Sequence, residues 1–323
     1  MIIAIPDDYQ QLVATLDCFE MLKGNDVRVF QGPAADANQL AHELQDAETI
    51  VLIRERTRMT GDLIASLPRL KHIAQTGRST HHIDVAACTA RGIAVSTGTH
   101  ASVHTIAEYT WALILASLRD IPTHAEHMRR GDWSARLGLG VHGKTLGVHG
   151  FGKIGSLVAA IGKSFGMRVL AWGGDASQER AREAGCDFAA GKDELYAQSD
   201  VLSLHLRLTN ETRHAITADD LAQMKRTALL VNTARADVLA PGALVAALRN
   251  GRPGFAAVDV YENEPVMNGN HPLLKMSNVI CTPHSAWIEK GMFESYFGEA
   301  FTNVVRLARG EPVHLVNPAV LTH

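Results

Sequence analysis

The stretch Thr145-Leu-Gly-Val-His-Gly150-Phe-Gly152-Lys-Ile-Gly155, continuing into Ser156–Phe165, decides how this chain is read. An apolar, strand-like run ends in Gly-x-Gly-x-x-Gly and a segment of helical period follows at once, the setting in which such a turn cradles a pyrophosphate. Gly150 permits the tight turn, Gly152 lets backbone approach a phosphate, and Gly155 lets helix and strand pack closely. The helix amino terminus adds unpaired N–H groups and the positive end of its dipole. A plain structural turn also fits the three glycines taken alone. The strand before them and the helix after them favour nucleotide binding.

Working outward, short Ile-, Val- and Leu-rich runs alternate with helical segments on both sides, the pattern of βαβ units around parallel sheets, so the fold class is α/β. From the glycine turn onward we read strands at Thr145–His149, Met167–Trp172, Val201–Leu206, Ala228–Thr233, Ala256–Val260 and Val279–Cys281. Six such strands are the number in a Rossmann dinucleotide-binding sheet. Before the turn, Ile2–Ile5, Val27–Phe30, Ile50–Ile53, His72–Gln75 and Ile93–Val95, with helices near Asn38–Gln45 and Thr60–Ser66, predict a smaller doubly wound sheet. His100–Arg119 has the spacing of a connecting helix and Gly131–Gly143 the composition of a surface loop. A last helix is expected at Phe293–Ala308, closed by Gly310 and Pro312, and packing back on the first domain.

The bulk properties agree with two globular domains. The chain has 323 residues, 46% hydrophobic and 20% charged, with 31 Lys and Arg against 34 Asp and Glu, a net charge of −3. No block of like charge favours nucleic acid or an anionic membrane. Cys18, Cys88, Cys186 and Cys281 stand singly, without a redox pair or a zinc-ligand spacing, so no metal and a reducing, cytoplasmic setting are expected. The amino terminus enters a strand directly, without the pattern of an export signal. The apolar run Trp111–Leu118 is far shorter than the ~20 residues that cross a bilayer.

Two places carry the chemistry. The strand after the glycine turn ends Leu170-Ala-Trp-Gly173-Gly174-Asp175. Gly173 occupies the position where an NAD site usually places a ribose-binding acid, and Asp175 could serve if the turn is bent. Arg180 and Arg182 follow on a helix, where a 2′-phosphate partner and a solvated surface charge are both readings. NAD and NADP both remain open. At the carboxyl ends of late strands, where an open α/β sheet places its ligands, stand Arg235, Glu264 in Tyr261-Glu-Asn-Glu264-Pro265, and His284 in Thr282-Pro-His284. A fixed cation, an acid and a titrating imidazole can hold a carboxylate, steady a charged ring and supply a proton to a developing alkoxide, as hydride transfer to a 2-oxo acid requires.

The glycine turn, Val231-Asn-Thr-Ala-Arg235, Asp259-Val-Tyr-Glu-Asn-Glu264-Pro265 and Thr282-Pro-His284, in that order, make the chain resemble the D-isomer-specific 2-hydroxyacid dehydrogenases over nearly its whole length. The resemblance implies a nicotinamide cofactor, NAD or NADP, and a small 2-oxo acid or D-2-hydroxy acid. It implies a cofactor domain at 100–285 inserted into a flavodoxin-like substrate domain made of 1–99 and 286–323, with a cleft between them. It assigns His284 as general acid and base, Glu264 as its partner, Arg235 as substrate clamp, and Asp259 to the nicotinamide carboxamide. Gly150, Gly152, Lys153, Ile154, Gly155, Gly173, Asp175, Leu206, Thr233, Ala234 and Thr105 are the cofactor contacts implied with it. Arg54, Gly77, Arg78 and Trp287 are the substrate contacts. In Thr76-Gly77-Arg78-Ser79-Thr80-His81-His82 this chain departs from the family's Gly-x-Gly pattern, and Arg78 adds either a second cation for an acidic substrate or a group for the cofactor phosphates. A homodimer is implied, with the Ser102–Leu118 helix and the Gly131–Gly143 loop as contact.

Blander readings stand beside these. Taken singly, His284 and Arg235 fit surface positions, Asp259 fits a turn cap, Arg54 a solvated loop, His81 and His82 ordinary loop residues, and Trp287 plain core packing. For the whole chain, a cofactor-sensing binding protein of the same fold is the main alternative. A different Rossmann enzyme such as a methyltransferase leaves Arg235, Glu264 and His284 without a role.

Overall fold

The structure, a computed structural model, describes residues 1–99 and 103–322. Two compact units divide the chain, Met1–Ser102 with Ile288–His323, and Val103–Trp287. The expected boundary after residue 99 and the first three residues of the expected connecting helix, His100, Ala101 and Ser102, lie outside the described residues; the helix there runs His104–Leu118.

The first unit is a five-stranded parallel sheet of β1 (Ile2–Ile5), β2 (Asp26–Val29), β3 (Thr49–Leu52), β4 (His72–Gln75) and β5 (Ala94–Thr97), in the order β2-β1-β3-β4-β5. That is the flavodoxin-like order. Every residue of β3 and β4 is buried, the polar Thr49, His72 and Gln75 included, so neither strand alternates between a core face and a solvent face. Leu52 pairs with Gln75, so the chain leaves the sheet side by side at Arg54 and Gly77. Asp36 and Thr60 cap the helices Ala37–Leu44 and Gly61–Ala65 with their side chains. The helix Lys290–Ala308, capped by Glu289, belongs to this unit and buries Phe293, Tyr296, Phe297, Ala300, Phe301 and Val304. The edge strand β5 is covered in turn: Ser96 bridges to Leu315 and Asn317 accepts the Val95 N–H at 2.8 Å.

The second unit holds seven parallel strands, β6 (Thr145–His149), β7 (Arg168–Trp172), β8 (Asp187–Phe188), β9 (Val201–Leu204), β10 (Leu229–Asn232), β11 (Phe255–Val258) and β12 (Val279–Cys281), ordered β12-β11-β10-β9-β6-β7-β8. The sequence predicts six of them. The extra one, β8, is two residues long in the half-polar segment Cys186-Asp-Phe-Ala and carries no periodicity to read. The helix Ile121–Arg129 is a second addition: Asp120 turns left-handed at φ 51° and Pro122 starts a new helix. Residues 131–140 are exposed and without regular structure, as expected for the loop. Successive strand residues serve opposite cores, Leu202, Leu204 and Leu230 on one face, Val201, Leu229 and Val231 with Trp111 on the other. The strand order reverses between β6 and β9, and the glycine turn lies at that switch point. Among the described residues no helix is long and apolar enough to cross a membrane.

Each sheet encloses a histidine. The His72 ring meets Ser96 Oγ at 2.8 Å, and His149 Nδ1 meets the Tyr196 hydroxyl at 3.1 Å. Burial pushes these imidazoles down to about 4 and about 3, so both stay neutral in the folded chain. In the unfolded chain they protonate near 6.5. A folded value below the unfolded one means stability that is fully present above pH 6.5 and drains away as pH falls toward 4. At pH 5 each ring costs about 2 kcal/mol of stability. Denaturant unfolding of His149→Asn is therefore expected to lose about 2 kcal/mol less than wild type between pH 7 and pH 5; an identical loss in the two proteins would refute the account.

Candidate active site

At the end of β6 the three glycines are each set by what surrounds them. Gly150 has φ 96°, and a Cβ there would lie 2.8 Å from the His205 carbonyl carbon. A Cβ on Gly155 would sit 2.4 Å from the Gly150 oxygen, so no other residue lets the helix Lys153–Ser164 pack so close to its own turn. Gly152, the residue before that helix, faces open space. No described side chain caps the helix, which leaves the first-turn N–H groups of Lys153, Ile154 and Gly155 for another acceptor. Open space in front of uncapped amides fits the pyrophosphate of a dinucleotide. Leu206 lies just beyond β9, its N–H 3.0 Å from the position of a Gly150 Cβ.

The ribose end of this cradle has no acid on the strand. Gly173 follows β7, and a Cβ there would meet Ser177 Oγ at 2.8 Å. Asp175 is the exposed first residue of the helix Asp175–Glu183. From the second turn of that helix Arg180 reaches back, its Nε donating to the Phe151 carbonyl at 2.7 Å. Arg182 makes no such bond among the described residues.

The three candidate catalytic residues all lie in this unit. His284 Nδ1 is 2.6 Å from Glu264 Oε2, with side-chain exposures of 35% and 31%. Glu264 is fixed in turn, because its Oε1 accepts the Tyr261 N–H at 2.8 Å. The backbone of His284 is left-handed at φ 49°, an uncommon state for a residue with a side chain. What holds it there is Asp259. This carboxylate, 0% exposed, accepts from Thr282 Oγ1 at 2.6 Å and from the Ser285 and Ala286 N–H groups at 2.8 Å each. Burial raises the Asp259 pKa and outweighs these hydrogen bonds, which act to lower it. Both Asp259 oxygens are thus directed to the segment that carries His284.

Arg235 follows β10 on a turn pinned by buried Asn232, which accepts the Ala234 N–H and donates to the Arg235 carbonyl, both at 3.0 Å. Thr233 Oγ1 meets Thr110 Oγ1 at 2.9 Å, tying this turn to the helix His104–Leu118, whose second residue is Thr105. Sequence reading missed Asn232, Tyr261, which also donates to the Thr282 carbonyl at 3.0 Å, and Tyr109, whose hydroxyl lies 2.7 Å from Ser285 Oγ. Asn232 and Tyr261 stand inside the very blocks that drew attention to their neighbours. Trp287, 6% exposed, ends the unit.

The remaining candidates lie in the first unit. Arg54, at φ 54°, places its guanidinium 5.3 Å from the Tyr296 ring centre and donates to the Tyr296 hydroxyl at 3.0 Å. Arg54, Arg78, Ser79 and Tyr296 line a cavity of about 160 Å³, together with Glu55, whose carboxylate lies 3.6 Å from Arg54 Nε. Gly77, at φ 89°, is buried behind it, and a Cβ there would come within 3.3 Å of the Arg54 guanidinium. Arg78 is exposed and bonded to no described residue. His82 is buried, and neither ring nitrogen is hydrogen-bonded to a described residue.

The sequence profile of the D-isomer specific 2-hydroxyacid dehydrogenase NAD binding domain matches residues 111–286. Glyoxylate reductase of Aeropyrum pernix is 41% identical over 274 residues, 82% of this chain and 81% of that one. D-3-phosphoglycerate dehydrogenase of Methanocaldococcus jannaschii is 38% identical over 76% of this chain but 47% of its own length, so this chain spans about half of it. Phosphoglycerate oxidoreductase of Vibrio cholerae O395, a solved structure, superposes with a TM-score of 0.92 at 46% identity, covering 96% of this chain and 99% of that one. All three carry the names of enzymes, which does not favour the sensing alternative. A profile match across more than half the chain, with relatives of this identity along most of it, bears out the motif resemblance: the chain belongs to the D-isomer specific 2-hydroxyacid dehydrogenase family.

Proposed function

We propose that this dehydrogenase works as a reductase of a small 2-oxo acid bearing a second anionic group, with His284 as the proton donor and Arg235 as the carboxylate clamp. As a member of its family it moves a hydride between a nicotinamide cofactor and a 2-hydroxy acid or 2-oxo acid. The 2.6 Å approach of His284 Nδ1 to Glu264 Oε2 carries the assignment. It orients the ring and leaves Nε2 to hand a proton to the alkoxide oxygen. The Arg235 guanidinium suits bidentate binding of a carboxylate. A nicotinamide cofactor, when bound, would supply the hydride, and the amides of Lys153, Ile154 and Gly155 would hold its pyrophosphate.

The second anionic group is argued from the cavity of Arg54, Arg78 and Tyr296, where two guanidinium groups and a hydroxyl outnumber the one carboxylate of Glu55. Arg78 stands where the family's pattern has a small residue. The test is nicotinamide oxidation, followed by absorbance, with glyoxylate, hydroxypyruvate, pyruvate, phenylpyruvate and 3-phosphohydroxypyruvate. The phosphorylated acid is expected to have the lowest KM. Arg78→Ala should raise that KM about tenfold more than the KM for glyoxylate, as removal of one charge-assisted hydrogen bond implies. Equal effects on both acids would remove the cavity from substrate recognition while leaving the reaction class intact.

We place the enzyme in the cytoplasm, a reading supported by its four free cysteines. Among the described residues no group of His, Cys, Asp and Glu could hold a metal ion. A homodimer is supported by exposed apolar side chains on one continuous segment, Ile121, Met128, Trp133 and Leu137, the last two 88% and 103% exposed.

A further inference from the structure

We infer that Arg180 binds the 2′-phosphate of the cofactor and that the enzyme is selective for NADP(H); this rests on the nicotinamide-cofactor reading above. A Rossmann sheet that selects NAD ends its second strand in an acid that accepts the ribose hydroxyls, and the same acid repels a phosphate. Here that position is Gly173, which offers no side-chain acceptor, and a Cβ there would lie 2.8 Å from Ser177 Oγ, so Ser177 would have to shift to admit one. The same Cβ position is 3.7 Å from Gly150 Cα, so the strand end abuts the turn that faces the pyrophosphate. The adenosine ribose must pass this edge.

Two groups furnish the edge. Ser177 Oγ accepts the Phe151 N–H at 3.2 Å, and Arg180 Nε donates to the Phe151 carbonyl at 2.7 Å. Phe151 in the glycine turn is therefore held at both its backbone groups by the helix Asp175–Glu183. An arginine anchored through Nε keeps its two terminal nitrogens in a fixed direction, and neither is bonded to a described residue. A planar pair of donors of that kind matches phosphate oxygens and loses little further entropy on binding them. Arg180 is exposed, yet its Nε turns back to the phosphate-binding turn instead of extending away from it into solvent. Asp175, the nearest acid in sequence, is exposed at the start of the same helix and is bonded to neither Gly150 nor Phe151.

The test is equilibrium binding, read by cofactor fluorescence and by competition with 2′,5′-ADP and 5′-ADP, on wild type, Arg180→Ala and Arg180→Lys, with thermal melts to confirm folding. NADPH is expected to bind wild type at least about tenfold more tightly than NADH, and 2′,5′-ADP more tightly than 5′-ADP. Arg180→Ala should reduce the NADPH-to-NADH preference about tenfold, and Arg180→Lys, which keeps the charge but not the fork, by less. A wild-type preference for NADH, or a preference that Arg180→Ala does not alter, overturns this inference alone. Failure of both dinucleotides to bind a folded protein overturns the cofactor reading together with it.

Discussion

His284→Ala is expected to lower kcat for 2-oxo acid reduction by about 10²–10⁴-fold, the usual worth of a positioned general acid, while cofactor affinity changes by no more than a few fold. The expectation follows from the ring's situation. Nδ1 is engaged by Glu264 at 2.6 Å, so the proton that leaves comes from Nε2. Glu264→Gln separates charge from orientation. The amide can keep a hydrogen bond to Nδ1 but carries no charge, so kcat should fall less than in His284→Ala. Single-turnover measurement of reduction across pH checks both. Retention of most of the wild-type rate by His284→Ala would assign the proton to another group.

The parts of this enzyme that could be read from the sequence are those where chemistry leaves no choice of residue. Gly155 is legible because a Cβ there would lie 2.4 Å from the Gly150 oxygen. Strands β3, β4, β9 and β10 are legible because burial on both faces favours apolar residues at most of their positions, as in Ile50-Val51-Leu52 and Leu229-Leu230-Val231. His284 and Glu264 are 20 residues apart and obey no period. Their pairing is readable from the order of motifs at strand ends, which the switch-point geometry of a parallel sheet makes meaningful.

What could not be read is proximity set by tertiary geometry between residues whose types are unremarkable. Arg54 and Tyr296 are 242 residues apart, and nothing in either segment announces the other. Arg180 sits among the charges of a polar helix and differs from Arg182 only in the direction it takes. The two-residue strand β8 is too short for any period to show. Arg54 and His284 share a further property that sequence does not disclose: both hold a left-handed backbone just past the end of a strand, at φ 54° and 49°. A residue with a Cβ held there costs about 1–3 kcal/mol, which surrounding bonds must offset. At Arg54 the offset comes from the Arg54 N–H bonded to Thr76 Oγ1 at 2.8 Å and from the Gln75 amide on the Arg54 carbonyl at 3.0 Å.

At His284 the offset comes from Asp259, and the consequence is the second large effect. Asp259→Ala removes the acceptor of two buried or half-buried backbone N–H groups, Ser285 and Ala286, and of the Thr282 hydroxyl. An orphaned buried donor costs about 1–3 kcal/mol, so the variant should lose about 3 kcal/mol or more of stability. With Thr282–Ala286 released, His284 is free to leave φ 49°, and its ring loses register with Glu264. We expect kcat to fall about 100-fold, KM to change little, and the loss to be smaller in Asp259→Asn, whose single amide oxygen can still serve one or two of the three donors. The pattern of damage tells this role from direct bonding to the nicotinamide carboxamide. Removing a hydrogen bond to the cofactor raises its dissociation constant and spares the melting temperature. Releasing the His284 segment instead lowers the melting temperature and kcat together and leaves cofactor affinity nearly as it was. Intact stability with weakened cofactor binding in Asp259→Ala would therefore transfer Asp259 from holding the catalytic segment to holding the cofactor.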